Sequence, residues 1–282
     1  MPELILRADG SATGDKPVVK VTPESAGWVY TGFEVYRLAA KEVVSLDTVG
    51  KEMVVIVLEG TCDVDVSGVT FEHVGKRESV FDAKAPEAIY SPPGNLVTVR
   101  AASRAEVAVA TAKAEEGVGG PRRITPDDIP YEERGEGSTR RYIHHILDEH
   151  HPANKLLLVE VVTPPGNWSS YPPHKHDEEI PGKEAYLEET YYYRINPPAG
   201  QALQRVYDKQ GLETVQTPRD GDVVLVPRGY HPVASPPGFT TYYLNVMSGH
   251  HRVWKYTVDT DYAHLVPPDG NIMGRVSPSS NG

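Results

Sequence analysis

The run Tyr171-Pro-Pro-His-Lys-His puts two imidazoles, His174 and His176, two residues apart. On a strand, side chains at i and i+2 share a face, so both rings can reach one ion while Lys175 turns away. Glu189 opens Glu-Thr-Tyr-Tyr-Tyr-Arg, a β-prone run whose alternation groups Glu189, Tyr191 and Tyr193. His231 follows Pro227-Arg-Gly-Tyr at the end of the apolar stretch Asp222-Val-Val-Leu-Val. Three imidazoles and a carboxylate suit Zn²⁺, Mn²⁺ or Fe²⁺ and exclude a calcium cage, which is built from oxygens. With eleven histidines in the chain, one His-x-His pair is an unspecific signal by itself. Its setting adds the weight: a turn at Gly166 before it, a Glu-led strand after it, and then the Gly221 to His231 segment. The adjacent pairs His144-His145, His150-His151 and His250-His251 diverge on a strand and are expected to decorate surfaces or loops.

Strands are the elements best able to position such a set. The 25 glycines, the 25 prolines and the short apolar runs between turns predict an all-β chain. At 282 residues it can bury one large core or two smaller ones. A single cysteine, Cys62, excludes an internal disulfide framework and fits a reducing cytoplasm. The first residues lack a long apolar run, and no stretch is apolar enough to span a bilayer, so a cytoplasmic protein without membrane association is expected. A net charge of −11 argues against nucleic acid as a partner, since phosphates call for a basic surface.

The ordered set Gly166, His174, His176, Glu189, then Gly221, Pro227, Gly229, His231, resembles the two short motifs of the cupin superfamily. The resemblance implies antiparallel jelly-roll barrels with a metal in the mouth, held by His174, His176, Glu189 and His231. The glutamate stands thirteen residues after His176, further than is usual in cupins, so Glu188, Glu179 and Glu178 are alternatives to Glu189. A faint duplication adds a second barrel. Aligning Pro92-Pro-Gly94-Asn-Leu96 with Pro227-Arg-Gly229-Tyr-His231 puts Leu96 in place of the histidine, and no His-x-His precedes the Glu52 strand. The expected organisation is therefore a bicupin: residues 1–116 a degenerate, metal-free barrel, 117–139 a linker or crossover, 140–266 a metal-bearing barrel, and 267–282 a flexible tail. Within the last barrel, the stretch from Arg140 reads equally as a short helix or a strand.

The second half further resembles the 5-deoxy-glucuronate isomerases of inositol breakdown, through Tyr171-Pro-Pro-His-Lys-His-Asp-Glu-Glu, Leu187-Glu-Glu-Thr-Tyr-Tyr-Tyr-Arg, Leu203-Gln-Arg-Val-Tyr, Gly221-Asp-Val-Val-Leu-Val-Pro-Arg-Gly-Tyr-His-Pro-Val and Tyr242-Tyr-Leu-Asn-Val-Met-Ser-Gly. The match is dense from about Arg140 to Trp254 and departs at Asp259 to His264. It implies an aldose-to-ketose isomerisation of a small sugar acid to 5-dehydro-2-deoxy-gluconate. In that chemistry a divalent ion, Zn²⁺ or Mn²⁺ before Fe²⁺, acidifies the C2 proton by stabilising a developing enediolate. Glu188, Glu178, Tyr191 and Tyr207 are the candidate proton shuttles, and Arg205 and Arg228 the candidate forks for the substrate carboxylate. Two other classes share the fold: an iron-dependent oxygenase, which would consume O₂, and a non-catalytic sugar-acid-binding cupin. Exposed edge strands of open jelly rolls favour a homo-oligomer.

Overall fold

In a computed structural model that describes residues 4–266, the strand Leu187–Asn196 is buried along nearly its whole length. It is flanked on both sides, by Val223–Val226 and by Thr240–Gly249. Alternation sends Leu187, Glu189, Tyr191, Tyr193 and Ile195 to one face and Glu188, Thr190, Tyr192 and Arg194 to the other. The first face joins Val159, Val161, Val224, Val226, Tyr243 and Met247 in the core of the second half. Opposite it, Tyr192 belongs to a larger cluster shared with Phe33, Ile56, Leu58 and Tyr90 of the first half. A strand with apolar neighbours on both faces needs partners for the polar side chains it carries, because an unpaired one is costly, and of its buried polar side chains the Thr190 hydroxyl alone has none.

The seven-stranded sheet around it runs Ile5–Leu6, Val223–Val226, Leu187–Asn196, Thr240–Gly249, Leu157–Thr163, Arg141–Leu147 and Tyr131–Arg134. A six-stranded sheet runs Arg122–Ile124, Glu87–Ser91, Lys51–Glu59, Ala105–Lys113, Thr31–Leu38 and Val19–Val21. Their central four strands have the same chain order, with third, second, fourth and first side by side. Each half also carries a four-stranded sheet of matching order: Val43–Asp47, Leu96–Ala101, Cys62–Val66 and Val69–Val74 in the first, Trp168–Ser169, Val233–Ala234, Leu203–Tyr207 and Glu213–Gln216 in the second. The duplication is thus a repeated topology. Its two units are two-sheet jelly rolls, and no hydrogen-bonded ladder among the described residues closes either into a barrel.

The first unit is filled by Val55, Val57, Val64, Val99, Val107 and their neighbours, with Met53 on the strand position that Glu189 occupies in the second. Leu96 opens its strand and is exposed. Neither of the two clusters of ligand-type side chains found among the described residues lies in this unit.

The boundaries differ from a simple two-domain division. Ile5–Leu6, at the start of the chain, pairs with Val223 and Val224 of the second unit. The stretch 117–139 is more than a linker: Arg122–Ile124 completes the first unit's sheet against Glu87–Ser91, and Tyr131–Arg134 completes the second unit's against Arg141–Leu147. The segment from Arg140 is a strand, with His144 half-buried on one side of it and His145 buried on the other rather than both decorating a surface, bonded to Glu160 and Glu132. The expected flexible tail, 267–282, lies outside the described residues. No helix among the described residues is long and apolar enough to cross a membrane.

Between the units, carboxylates do the joining. Glu52 accepts the backbone N–H groups of Asn154, Lys155 and Leu156 at 2.8, 2.6 and 2.7 Å. Glu188, at the same place on the equivalent strand, accepts those of Val29, Tyr30 and Thr31 at 2.7, 2.9 and 2.8 Å. Each unit therefore grips the segment that leads into the other's first central strand. Arg77 of the first unit makes a two-pronged bond to Glu160 of the second at 2.9 and 2.8 Å, and Tyr242 and His144 complete that carboxylate's shell.

Burial alone would raise the Glu160 pKa, but the Arg77 charge and the bonds to it outweigh burial and hold the carboxyl at about 2. A depressed carboxyl stabilises the fold fully above its ordinary value of 4.5, and the contribution disappears as pH falls toward 2. Arg77→Met strands a buried carboxylate and is expected to cost about 3–5 kcal/mol in chemical denaturation and to move the acid-unfolding midpoint to higher pH. Arg77→Met combined with Glu160→Met should cost less than Arg77→Met alone, since no unpaired charge is left inside.

Candidate metal centre and the pocket beside it

His174–Lys175 is a two-residue strand paired with Thr257–Val258, and His176 leaves it toward the second unit's core. Lys175 turns the other way, as alternation requires, into the carboxylates of Asp177, Glu178 and Glu184 at 2.5, 3.0 and 2.9 Å. That acidic cluster is thus organised around its own lysine. His231 is delivered by a turn whose Gly229 has φ +83°, and a Cβ there would lie 2.3 Å from the Tyr207 carbonyl. Only glycine fits both demands. The Gly229 N–H also donates to Asp177 at 2.7 Å, tying the loop of His176 to the loop of His231.

These elements bring His176, Glu189 and His231 together, with one donor atom from each lying within 4.8 Å of the others. Glu189 Oε2 is 2.9 Å from His176 Nε2 and 3.2 Å from His231 Nε2. His174 stands beside the trio, its ring centre 5.0 Å from that of His231 and 4.7 Å from that of Tyr256. All three histidines face a backbone carbonyl through Nδ1: Pro172 at 3.2 Å, Leu187 at 3.0 Å and Gly229 at 2.9 Å. A carbonyl only accepts, so each Nδ1 carries a hydrogen; in a neutral ring that leaves the Nε2 lone pair for an ion, which at His176 would take the place of the proton that Nε2 shares with Glu189. His231 Nε2 is buried and, despite its closeness to Glu189, makes no hydrogen bond of acceptable geometry.

The electrostatics run the same way. Burial pushes His174 well below the ordinary imidazole value, and the neighbouring His231 and His176 push it further, keeping the ring neutral. Burial would also lower His176, but its bond to Glu189 more than reverses this. The Glu189 carboxyl would be raised by burial, yet His231 and His176 hold it well below the usual carboxylate range. A buried carboxylate facing imidazole nitrogens, one of them unpartnered, fits a divalent transition-metal or zinc site.

The pocket beside this cluster is lined by Arg134, Arg141, Ser170, Tyr171, Tyr191, Tyr243, Asn245, Trp254 and Tyr256, together with His174 and Glu189. Tyr191 Oη is 3.0 Å from Ser170 Oγ, which is 3.3 Å from Tyr243 Oη. Of the shuttle residues expected from sequence, Tyr191 alone lines this pocket. Glu188 is turned to the opposite face of its strand and is occupied by the first unit's backbone, because adjacent strand residues point apart. Glu178 is exposed and paired with Lys175. Tyr207 donates to Asp259 at 2.6 Å, and its phenol proton is held by burial and by that bond. The expected carboxylate forks lie outside as well. Arg205 is half-buried and doubly bonded to Glu213, with its guanidinium over the Tyr207 ring, and Arg228 is exposed and bonded to Asp208. The pocket's arginines, Arg134 and Arg141, come instead from strands at the edge of the seven-stranded sheet.

Comparison with known proteins agrees with this architecture. Residues 4–265 match the KduI/IolB family. The chain belongs to that family. A protein of Geobacillus thermodenitrificans (strain NG80-2) named 5-deoxy-glucuronate isomerase is 46% identical over 246 residues, covering 87% of this chain and 89% of that protein. One of the same name from Bacillus subtilis (strain 168) is 40% identical over 250 residues, 88% of this chain and 92% of that protein. Among solved structures, an IolB-like protein of Salmonella typhimurium LT2 superposes with a TM-score of 0.90 at 38% identity, over 94% of this chain and 99% of that one. Oxalate decarboxylase of Lactobacillus farciminis superposes with a TM-score of 0.66 at 12% identity, over 99% and 95% of the two chains, and so shares the bicupin fold alone.

The segment Asp259 to His264, expected from sequence to depart from the family pattern, lies within the family match and also acquires a role. Asp259 accepts from Tyr207, its backbone N–H donates to Pro173, and it anchors the end of Thr257–Val258 against the His174 strand. Asp259→Ala is expected to lower stability by about 1–3 kcal/mol and to speed amide exchange at Thr257 and Val258, as read by hydrogen–deuterium exchange.

Proposed function

We propose that this chain is a metal-dependent isomerase that converts 5-deoxy-glucuronate to 5-dehydro-2-deoxy-gluconate. The observation that carries the reading is a family match along nearly the whole described chain, with relatives of that name at 40–46% identity, joined to a buried histidine–carboxylate cluster at the mouth of a pocket. His176, Glu189 and His231, with His174 alongside, would hold the ion. When bound there, a divalent ion of the zinc, manganese or iron type supplies Lewis acidity toward a carbonyl oxygen and its neighbouring hydroxyl.

The remaining work falls to the chain's own residues. An aldose-to-ketose shift moves one proton between adjacent carbons and another between adjacent oxygens. Tyr191 Oη and Ser170 Oγ, 3.0 Å apart, are hydroxyls that each give one proton while taking another. Burial, reinforced by the Glu189 charge, pushes the Tyr191 phenol well above its ordinary value, so it enters the reaction as a proton donor. The walls formed by Trp254, Tyr256 and Tyr243 exclude water, which favours an enediolate over loss of its protons to solvent.

A proton NMR time course of 5-deoxy-glucuronate tests the reading. Aldehyde or anomeric signals should convert to ketose signals with the metal-loaded protein and not with an EDTA-stripped sample. His176→Ala and His231→Ala should each remove bound metal, read by elemental analysis, and activity with it. Tyr191→Phe should keep its metal and lose about 10²- to 10⁴-fold in kcat. No conversion by metal-loaded protein would overturn the substrate assignment.

A further inference from the structure

We infer that Arg141 is the residue that receives the substrate's carboxylate, with Asn245 Nδ2 and Trp254 Nε1 facing the hydroxyls between that carboxylate and the metal cluster. This rests on the sugar-acid isomerase reading and adds to it the end of the pocket that selects an anion. Arg141 is 6% exposed, and its hydrogen bonds run to the carbonyls of Thr139 and Tyr171, each at 2.9 Å. No carboxylate among the described residues pairs with it. Arg134, its cross-strand neighbour, is held by Glu132 through two bonds, and Glu132 is shared with His145. The end of the pocket away from the histidine cluster therefore holds two guanidinium groups against one carboxylate, Glu132, with Glu189 at the opposite end. Burial, and then the nearby Arg134 charge, lower the Arg141 pKa to about 10, which is what a cation short of a counter-ion shows. A guanidinium kept from water without a carboxylate is costly to the empty protein and well matched to an anionic ligand.

Two further donors line the same pocket without a partner. Asn245 is 5% exposed with Nδ2 unbonded, and Trp254 Nε1 is likewise buried and unbonded. The sheet fixes their order. Asn245 is directly across from Tyr191 on one side and from Val159 on the other, and the Arg141 strand lies one further along. Across the sheet the strands bearing Glu189 and Arg141 are three steps apart, roughly 14 Å at about 4.8 Å per strand, and the register sets Arg141 level with Ile195, further along the strand than Asn245; both side chains nonetheless reach the one pocket. An aldehyde end at the metal cluster, hydroxyls at Asn245 and Trp254 and a carboxylate at Arg141 follow this order.

The test compares 5-deoxy-glucuronate with 5-deoxy-glucose, which presents the same aldehyde end and replaces the carboxylate by an alcohol. Metal-loaded wild-type protein should strongly prefer the acid. In Arg141→Met, kcat/KM for the acid is expected to fall about 30- to 100-fold, chiefly through KM, while that for 5-deoxy-glucose stays within about twofold. Arg141→Lys keeps the charge without the fork, guards against misfolding of the methionine variant, and should lose roughly tenfold of the preference. An unchanged preference in either folded variant, or an equal fall for both sugars, overturns the assignment and leaves Arg141 a structural tie to the Tyr171 carbonyl. If the wild-type protein turns over neither compound, the isomerase reading fails, and calorimetry with 5-deoxy-glucuronate decides the anchor separately. Binding that Arg141→Met abolishes sustains it, and absence of wild-type binding ends it.

Discussion

Adjacent residues on a β-strand cannot share a face, and Glu188 and Glu189 make the architecture depend on that rule. Glu189 points into the second unit and completes the histidine cluster, while Glu188 points out of it and holds the backbone of the first unit. The strand carrying both is buried on two sides, so neither carboxylate can relax into solvent. The first unit thus acts on the cluster without touching it, by fixing the strand from behind. Glu52 does the same in the opposite direction, which makes the two grips a reciprocal pair.

The shared core between the units is apolar at its centre and polar at defined points. Glu160 is surrounded by Arg77, His144 and Tyr242, and Glu106 by Arg37, Tyr192 and Arg194. Apolar area supplies the driving force for joining the units, and these charged clusters fix the orientation, because each is satisfied in one arrangement only.

Spacing made the cluster legible in the sequence. Two histidines at i and i+2, and a glutamate leading a tyrosine-rich run, carry their own geometry, and alternation alone predicted that Lys175 turns away. The duplication was readable from the paired Pro-x-Gly turns at Pro92 and Pro227. Assigning faces failed wherever both were buried: nothing in Leu187-Glu-Glu-Thr-Tyr says which glutamate looks inward at the pocket. Arg205 and Arg228 were chosen for closeness in sequence to the motifs, yet neither lines the pocket, and each is held by an acidic neighbour. Arg141 was missed because its strand reads equally as a helix, and because an arginine bonded to carbonyls leaves no mark in composition. The alternation of Arg141, Ile143 and His145, buried against half-exposed Tyr142 and His144, was the available signal.

The strand Ile5–Leu6 bears on how such a molecule comes into being. This edge strand precedes the whole first unit in the chain, and its partner, Val223–Val226, follows it. It is therefore made before its partner exists and stays unpaired while the first jelly roll is completed behind it. Two units joined in this way are not separable modules: a cut anywhere between them leaves one fragment holding a strand that the other lacks.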